Sequence, residues 1–157
     1  MKLLVADIGG TNARFAYKDD VSKELSNFSY LKCADFENIF DAVKYYQEEN
    51  NLDIKNMSID VASTTKHDAI KFTNNHWNFK QSEVFEYFKL DKLIFINDFV
   101  AQSLCFSTFY KDLTIDPSLN NKTALNNNLD IVRPGIPIIK SPSFICLLIL
   151  GILFTGP

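Results

Sequence analysis

Leu3-Leu4-Val5-Ala6-Asp7-Ile8-Gly9-Gly10-Thr11-Asn12-Ala13-Arg14-Phe15-Ala16-Tyr17 is the stretch from which the fold is read. The apolar run Leu3 to Ala6 predicts a buried strand, and Ala13 to Tyr17 predicts its antiparallel partner. Gly9 and Gly10 between them predict a hairpin turn whose bare backbone can approach a phosphate closely. Asp7 closes the first strand, where its carboxylate would stand beside the same phosphates and a magnesium ion. A glycine pair is also an ordinary hairpin former. Thr11, Asn12 and Arg14 supply polar groups that a plain turn does not require, and they favour phosphate binding.

Outward from the hairpin, Lys18 to Ser26 is polar and predicts a loop, and Phe28 to Lys32 a third strand. Asp35 is a candidate N-cap. Phe36, Ile39, Phe40 and Val43 then fall at i, i+3, i+4 and i+7, the apolar stripe of a helix that fades at Gln47-Glu48-Glu49-Asn50. Met57 to Ala62 and Ala69 to Thr73 predict short strands, with Trp77 and Phe79 as anchors between elements. Ser82 would cap a short helix carrying Val84, Phe85 and Phe88. Leu93-Ile94-Phe95-Ile96 predicts a strand buried on both faces. A new helix starts at Asn97-Asp98, with Ala101, Leu104, Cys105 and Thr108 along one face. Strands and helices in this order predict a mixed α/β fold with part of the sheet antiparallel.

The chain has 157 residues, 46% of them apolar, enough for one domain and part of a second. A net charge of −3 gives no electrostatic footprint for nucleic acid or an anionic membrane. Cys33, Cys105 and Cys146 are widely spaced and odd in number, which predicts a reducing cytoplasm and no metal-ligand cluster or disulfide framework. No signal peptide is read at the N-terminus, where Lys2 precedes a short apolar run that meets Asp7 almost at once. After about Tyr110 the character changes. Pro117 to Asp130 is an asparagine-rich loop, and prolines 134, 137 and 142 interrupt the segment beyond it. Phe144 to Phe154 is nearly all apolar but shorter than the roughly 20 residues a membrane helix needs. An end at Thr155-Gly156-Pro157, directly after that run, reads as cut rather than finished.

Two further segments can carry chemistry. Asp98 closes a strand and opens a helix, so it is either a helix cap or a general base placed at the ligand-binding ends of the strands. In Thr73-Asn74-Asn75-His76-Trp77, His76 reads as a surface or edge residue and Trp77 as core.

Asp7 to Phe15, Thr73-Asn74-x-x-Trp77 and Ile96-Asn97-Asp98-Phe99-x-Ala101-Gln102, in this order and spacing, resemble bacterial glucokinases of the actin/hexokinase superfamily. The resemblance covers residues 1–110, continues weakly through Pro134 to Ile139, and implies ribonuclease-H-like sheets in two domains. Residues 1–110 would form the first domain and 111–157 the start of the second. The implied activity is phosphoryl transfer from ATP to the 6-hydroxyl of glucose, the first step of glycolysis, in the cytoplasm. Ala6, Asp7, Ile8, Gly9, Gly10, Thr11 and Asn12 would form the first phosphate loop, with Asp7 holding Mg2+ through water. Asn97 and Asp98 would bind sugar hydroxyls, and Asp98 would be the catalytic base. ATP, Mg2+ and glucose or a similar hexose are the implied ligands, and a homodimer the implied assembly.

The sequence departs from that family in four places. Lys140-Ser141-Pro142-Ser143-Phe144 stands where a second glycine-rich loop is expected. No Glu occurs after Glu86 and no His after His76, where the family has further sugar ligands. Ala62-Ser63-Thr64 replaces Ala-Gly-Pro. Family members are also about twice as long. A non-catalytic remnant of a frameshifted or truncated sugar kinase gene is therefore the alternative expectation.

Overall fold

The computed structural model describes residues 2–19, 25–101 and 103. Strands β1 (Leu3–Ile8), β2 (Asn12–Lys18) and β3 (Ser26–Lys32) form an antiparallel meander. A 3-10 turn, Cys33–Asp35, leads to helix α1 (Ile39–Glu49) and then to β4 (Asn56–Val61), which lies parallel to β1. A small hairpin comes next, β5 (Ala69–Lys71) with β6 (Asn78–Lys80). Helix α2 (Gln81–Tyr87) returns the chain to β7 (Lys92–Asn97), parallel to β4. The main sheet has the order β3-β2-β1-β4-β7. This is the expected mixed sheet of the ribonuclease-H-like, actin/hexokinase type, with helices α1 and α2 packed on it.

The main core lies on one face of this sheet. Leu4, Ala6 and Ile8 of β1, Phe15 of β2 and Met57, Ile59 and Val61 of β4 meet Ile39, Ala42, Val43 and Tyr46 of α1. Ile70, Trp77, Phe79 and Val84 extend the same core under the small hairpin and α2. The Phe15 and Tyr46 rings stack at 5.2 Å, and the Tyr46 hydroxyl donates to the Asn27 carbonyl at 2.9 Å. Burial raises the Tyr46 pKa, with the nearby Tyr17 adding to the shift. The other face carries a smaller cluster of Leu3, Val5 and Ala16.

Several local expectations are corrected. Asn38, not Asp35, caps α1, its side chain accepting from Asp41 N at 3.0 Å. Asp35 and Phe36 precede the helix, in and just after the 3-10 turn. Ser82 lies inside α2 rather than before it, and both its backbone N–H and its hydroxyl donate to Asp68. The strand read to Thr73 stops at Lys71, and Phe79 belongs to a strand of its own. β7 is only partly buried, with Ile94 exposed, because it lies at the end of the described sheet instead of inside it. The segments read around Leu104, Cys105 and Thr108, Pro117 to Asp130, Pro134 to Ile139 and Phe144 to Phe154 lie outside the described residues, as does the expected start of a second domain at 111–157.

Ile59→Ala removes a fully buried side chain from β4 and is expected to cost about 2–5 kcal/mol, read from urea unfolding midpoints. The bonds from the Ser82 hydroxyl and then the Ser82 N–H hold the Asp68 carboxyl below the usual range. A carboxyl depressed in the folded state stabilises above its unfolded pKa of about 3.9 and loses that contribution as pH falls through the folded value. Asp68→Ala should therefore lower the Tm at neutral pH, and its gap from wild type should close on acidification.

Candidate active site

The register places three segments at one end of the sheet. Ile8 of β1 pairs with Val61 of β4, and Val61 with Asn97 of β7. These three strands are parallel, so Gly9-Gly10, Ala62-Ser63 and Asp98 all emerge at their C-terminal ends, where open α/β sheets take ligands. Ala62 N donates to Ile8 O at 3.0 Å and joins the first two exits.

The glycine turn is closed by Gly9 N donating to Asn12 O at 2.9 Å. Cys33 N donates to Thr11 O at 2.9 Å from behind the turn. The Cys33 thiol donates to Gly9 O at 3.8 Å, and burial pushes its pKa up. A Cβ at Gly10 would lie 3.1 Å from Asn74 Cβ and 3.3 Å from Asn74 O, so a side chain here would have to push Asn74 back by a few tenths of an ångström. Asn74 therefore packs directly on the turn. His76 Nε2 lies 2.9 Å from Phe36 O, and Trp77 Nε1 donates to the same oxygen at 3.2 Å. A carbonyl only accepts, so His76 Nε2 carries the proton. His76 is an exposed brace and Trp77 a core residue.

Asp7 lies opposite Arg14 in the β1–β2 register, and Arg14 Nη1 donates to Asp7 Oδ2 at 2.9 Å. Both side chains are mostly covered, at 24% exposure for Arg14 and 13% for Asp7. Asp7 is also the Cα partner of Asp60 on β4, which is fully buried. Arg14, Asp7 and Asp60 thus occupy neighbouring strands on the sheet face away from the main core. The sequence reading missed Asp60. Its signal was an acidic residue inside the apolar alternation Met57, Ile59, Val61.

Asn97 Nδ2 donates to Ser63 O at 2.9 Å and to Asp98 Oδ1 at 3.0 Å. Phe99 N donates to Asn97 Oδ1 at 3.1 Å and to Asp98 Oδ1 at 2.9 Å, and residues 98–101 are helical. Asp98 Oδ1 is thus held by the start of the helix, while Oδ2 accepts no hydrogen bond among the described residues. The half-buried carboxylate is thus bonded to the helix start through one oxygen only among the described residues, at the C-terminal end of the sheet. Ser63 is tied back by its hydroxyl, which donates to Lys71 O at 2.6 Å. Among the described residues no three His, Cys, Asp or Glu side chains form a metal-holding group. No helix among them is long and apolar enough to cross a membrane.

The family model described as Glucokinase matches residues 4–135. The glucokinase of Helicobacter acinonychis (strain Sheeba) is 37% identical over 113 residues, covering 69% of this chain and 33% of that protein. The glucokinase of Neisseria meningitidis serogroup C (strain 053442) is 37% identical over 112 residues, covering 70% and 34%. The matched part of the chain thus spans about a third of the length of these curated relatives. A crystal structure of glucokinase from an Antarctic psychrotroph superposes with a TM-score of 0.61 at 29% identity, covering 81% of this chain and 40% of that one. A ROK family glucokinase from Streptomyces griseus, solved with glucose and AMPPNP, gives 0.54 at 17% identity, covering 74% and 39%, and shares the fold.

Arg14→Ala leaves the Asp7 carboxylate largely covered without its guanidinium. It is expected to cost about 1–3 kcal/mol in chemical denaturation, with Asp7→Asn recovering part of the loss in the double variant.

Proposed function

The chain belongs to the glucokinase family, and from that premise we propose that it carries the ATP-phosphate and hexose contacts of a glucokinase-type phosphoryl transfer. The observation that supports this reading most is the shared exit of the glycine turn and Asn97-Asp98 at one end of three parallel strands. Ala6 to Asn12 would line the phosphates, with the Gly10 and Thr11 N–H groups as the backbone donors, since Gly9 N–H is spent on Asn12 O. Asn97 and Asp98 would bind hexose hydroxyls, and Asp98 Oδ2 would accept the proton of the 6-hydroxyl as that oxygen attacks the γ-phosphorus. The transferred group is a phosphoryl, its leaving group ADP, and the proton passes to Asp98. Catalysis of this kind rests on positioning and electrostatic stabilisation.

Magnesium suits this donor set. Mg2+ is commonly held by one or two carboxylates, with water and substrate phosphate oxygens completing its shell. Asp7 would hold it through water from the oxygen not bonded to Arg14. The ion, when bound, would neutralise charge on the phosphates. The cytoplasm is the compartment this chemistry implies.

A second reading is a chain that binds these ligands without transferring the phosphoryl group. The sequence favours it at one point, Lys140-Ser141-Pro142-Ser143-Phe144, which carries no glycine where the family has its second phosphate loop. Titration of the full chain separates binding from catalysis. MgATP should perturb the Gly10 and Thr11 amides, and glucose should perturb Asn97 and Asp98. Asp98→Ala should abolish the glucose response and retain the MgATP response, and it leaves the Asn97 cap on Phe99 N in place. In a coupled assay the chain alone is expected to phosphorylate glucose no faster than background. Turnover that disappears in Asp98→Ala would show instead that its site is complete, and no ligand response at either segment would refute the proposal.

A further inference from the structure

The carbonyl of Gly9 is held by a residue distant in sequence. Asn75 Nδ2 donates to Gly9 O at 3.1 Å across 66 positions, and the Cys33 thiol donates to the same oxygen. The other end of the Asn75 amide is also committed, because Trp77 N donates to Asn75 Oδ1 at 2.9 Å. That bond is the local turn asparagine makes with a backbone N–H two residues on. With Oδ1 facing a donor, Nδ2 is the atom that must face Gly9 O, so the network sets the amide orientation from both sides. The Asn75 side chain is mounted on a rigid corner, since Trp77 is buried and its Nε1 donates to Phe36 O.

In a trans peptide the carbonyl and the next residue's N–H point in opposite directions. Pulling Gly9 O towards Asn75 and Cys33 therefore turns Gly10 N–H away from that corner. Gly10 N–H and Thr11 N–H find no backbone partner among the described residues. We propose that Asn75 is a positioning residue for phosphate binding: its amide holds the Gly9 carbonyl and so aims the Gly10 N–H at the nucleotide phosphate. The inference rests on the proposed role of the glycine turn as a phosphate loop. Through the same amide, phosphate on the turn is coupled to Trp77, the chain's single tryptophan.

Asn75→Ser tests this without a charge change. A serine hydroxyl can still accept from Trp77 N but is too short to reach Gly9 O. Asn75→Asp is the second variant, keeping the acceptor for Trp77 N and losing the donor to Gly9 O. Two readouts on the full chain are needed. The Gly9 carbonyl-carbon and Gly10 amide chemical shifts, measured without ligand, report the tether. Titration with MgATP, and separately with inorganic phosphate, monitored by the Gly10 amide and Trp77 emission, reports binding.

Both variants are expected to move the ligand-free Gly9 and Gly10 resonances while leaving the ligand-free Trp77 emission maximum in place. In Asn75→Ser, MgATP affinity should fall about three- to tenfold, the loss of one hydrogen bond's worth of orientation, and the MgATP-induced change in Trp77 emission should shrink. Ligand-free resonances that coincide with wild type in both variants would overturn the tether. Wild-type affinity in Asn75→Ser would overturn the role in phosphate binding. A wild-type chain whose Gly10 amide ignores saturating MgATP would overturn the phosphate reading itself, an outcome distinct from the first because the tether is read without ligand.

Discussion

Strand β1 is paired along both edges and buried on both faces, and the site depends on that constraint. Its partners are β2, antiparallel, and β4, parallel. Leu3 to Ile8 are all buried. A strand held on four sides cannot slide by one residue without exchanging Leu4, Ala6 and Ile8 for Leu3, Val5 and Asp7 at the main core. Its C-terminal exit is therefore fixed in space, and so are the glycine turn and Asp7. The remaining site elements are positioned against this exit through β4 and β7, which carry Ser63 and Asn97-Asp98 to the same edge.

A fixed strand end does not by itself fix a glycine turn, because two consecutive glycines leave the backbone its widest freedom. The structure removes that freedom with hydrogen bonds to the turn from elsewhere. Cys33 N holds Thr11 O, and Asn75 with the Cys33 thiol holds Gly9 O. The two bracing segments are themselves joined, since His76 and Trp77 both reach Phe36 O. Ordering the turn in the folded chain lowers the entropy still to be lost when a phosphate binds. The Arg14–Asp7 pair does the same for the carboxylate beside it.

Much of the element order was legible because the period-2 and period-3.6 patterns were clean. The hairpin, the stripe Ile39, Phe40, Val43 and the strand after Met57 all appear where those patterns put them. Helix starts were less legible, because caps are chosen by competition among neighbouring polar residues. Asn38 won over Asp35, and Asp68 reached Ser82 from a different part of the chain. β7 read as fully buried because a run of Leu, Ile, Phe and Ile looks alike in the middle and at the end of a sheet. Asp60 was overlooked since a polar residue in an alternating strand ordinarily faces water, whereas here both faces are buried.

By itself the sequence determined the chemistry available to this protein. It supplied two glycines after an aspartate, an Asn-Asp pair at a strand end, and an asparagine-rich corner before a tryptophan. Those are local facts, because turn and cap chemistry act over a few residues. Only the tertiary structure decided which of them act together. It set Asp60 beside Asp7, turned the Arg14 guanidinium onto the Asp7 carboxylate, and brought Asn75 to the Gly9 carbonyl. Such pairings depend on strand register and on loops returning from distant positions. A hydrogen bond spanning 66 residues leaves no periodic trace in the chain that makes it.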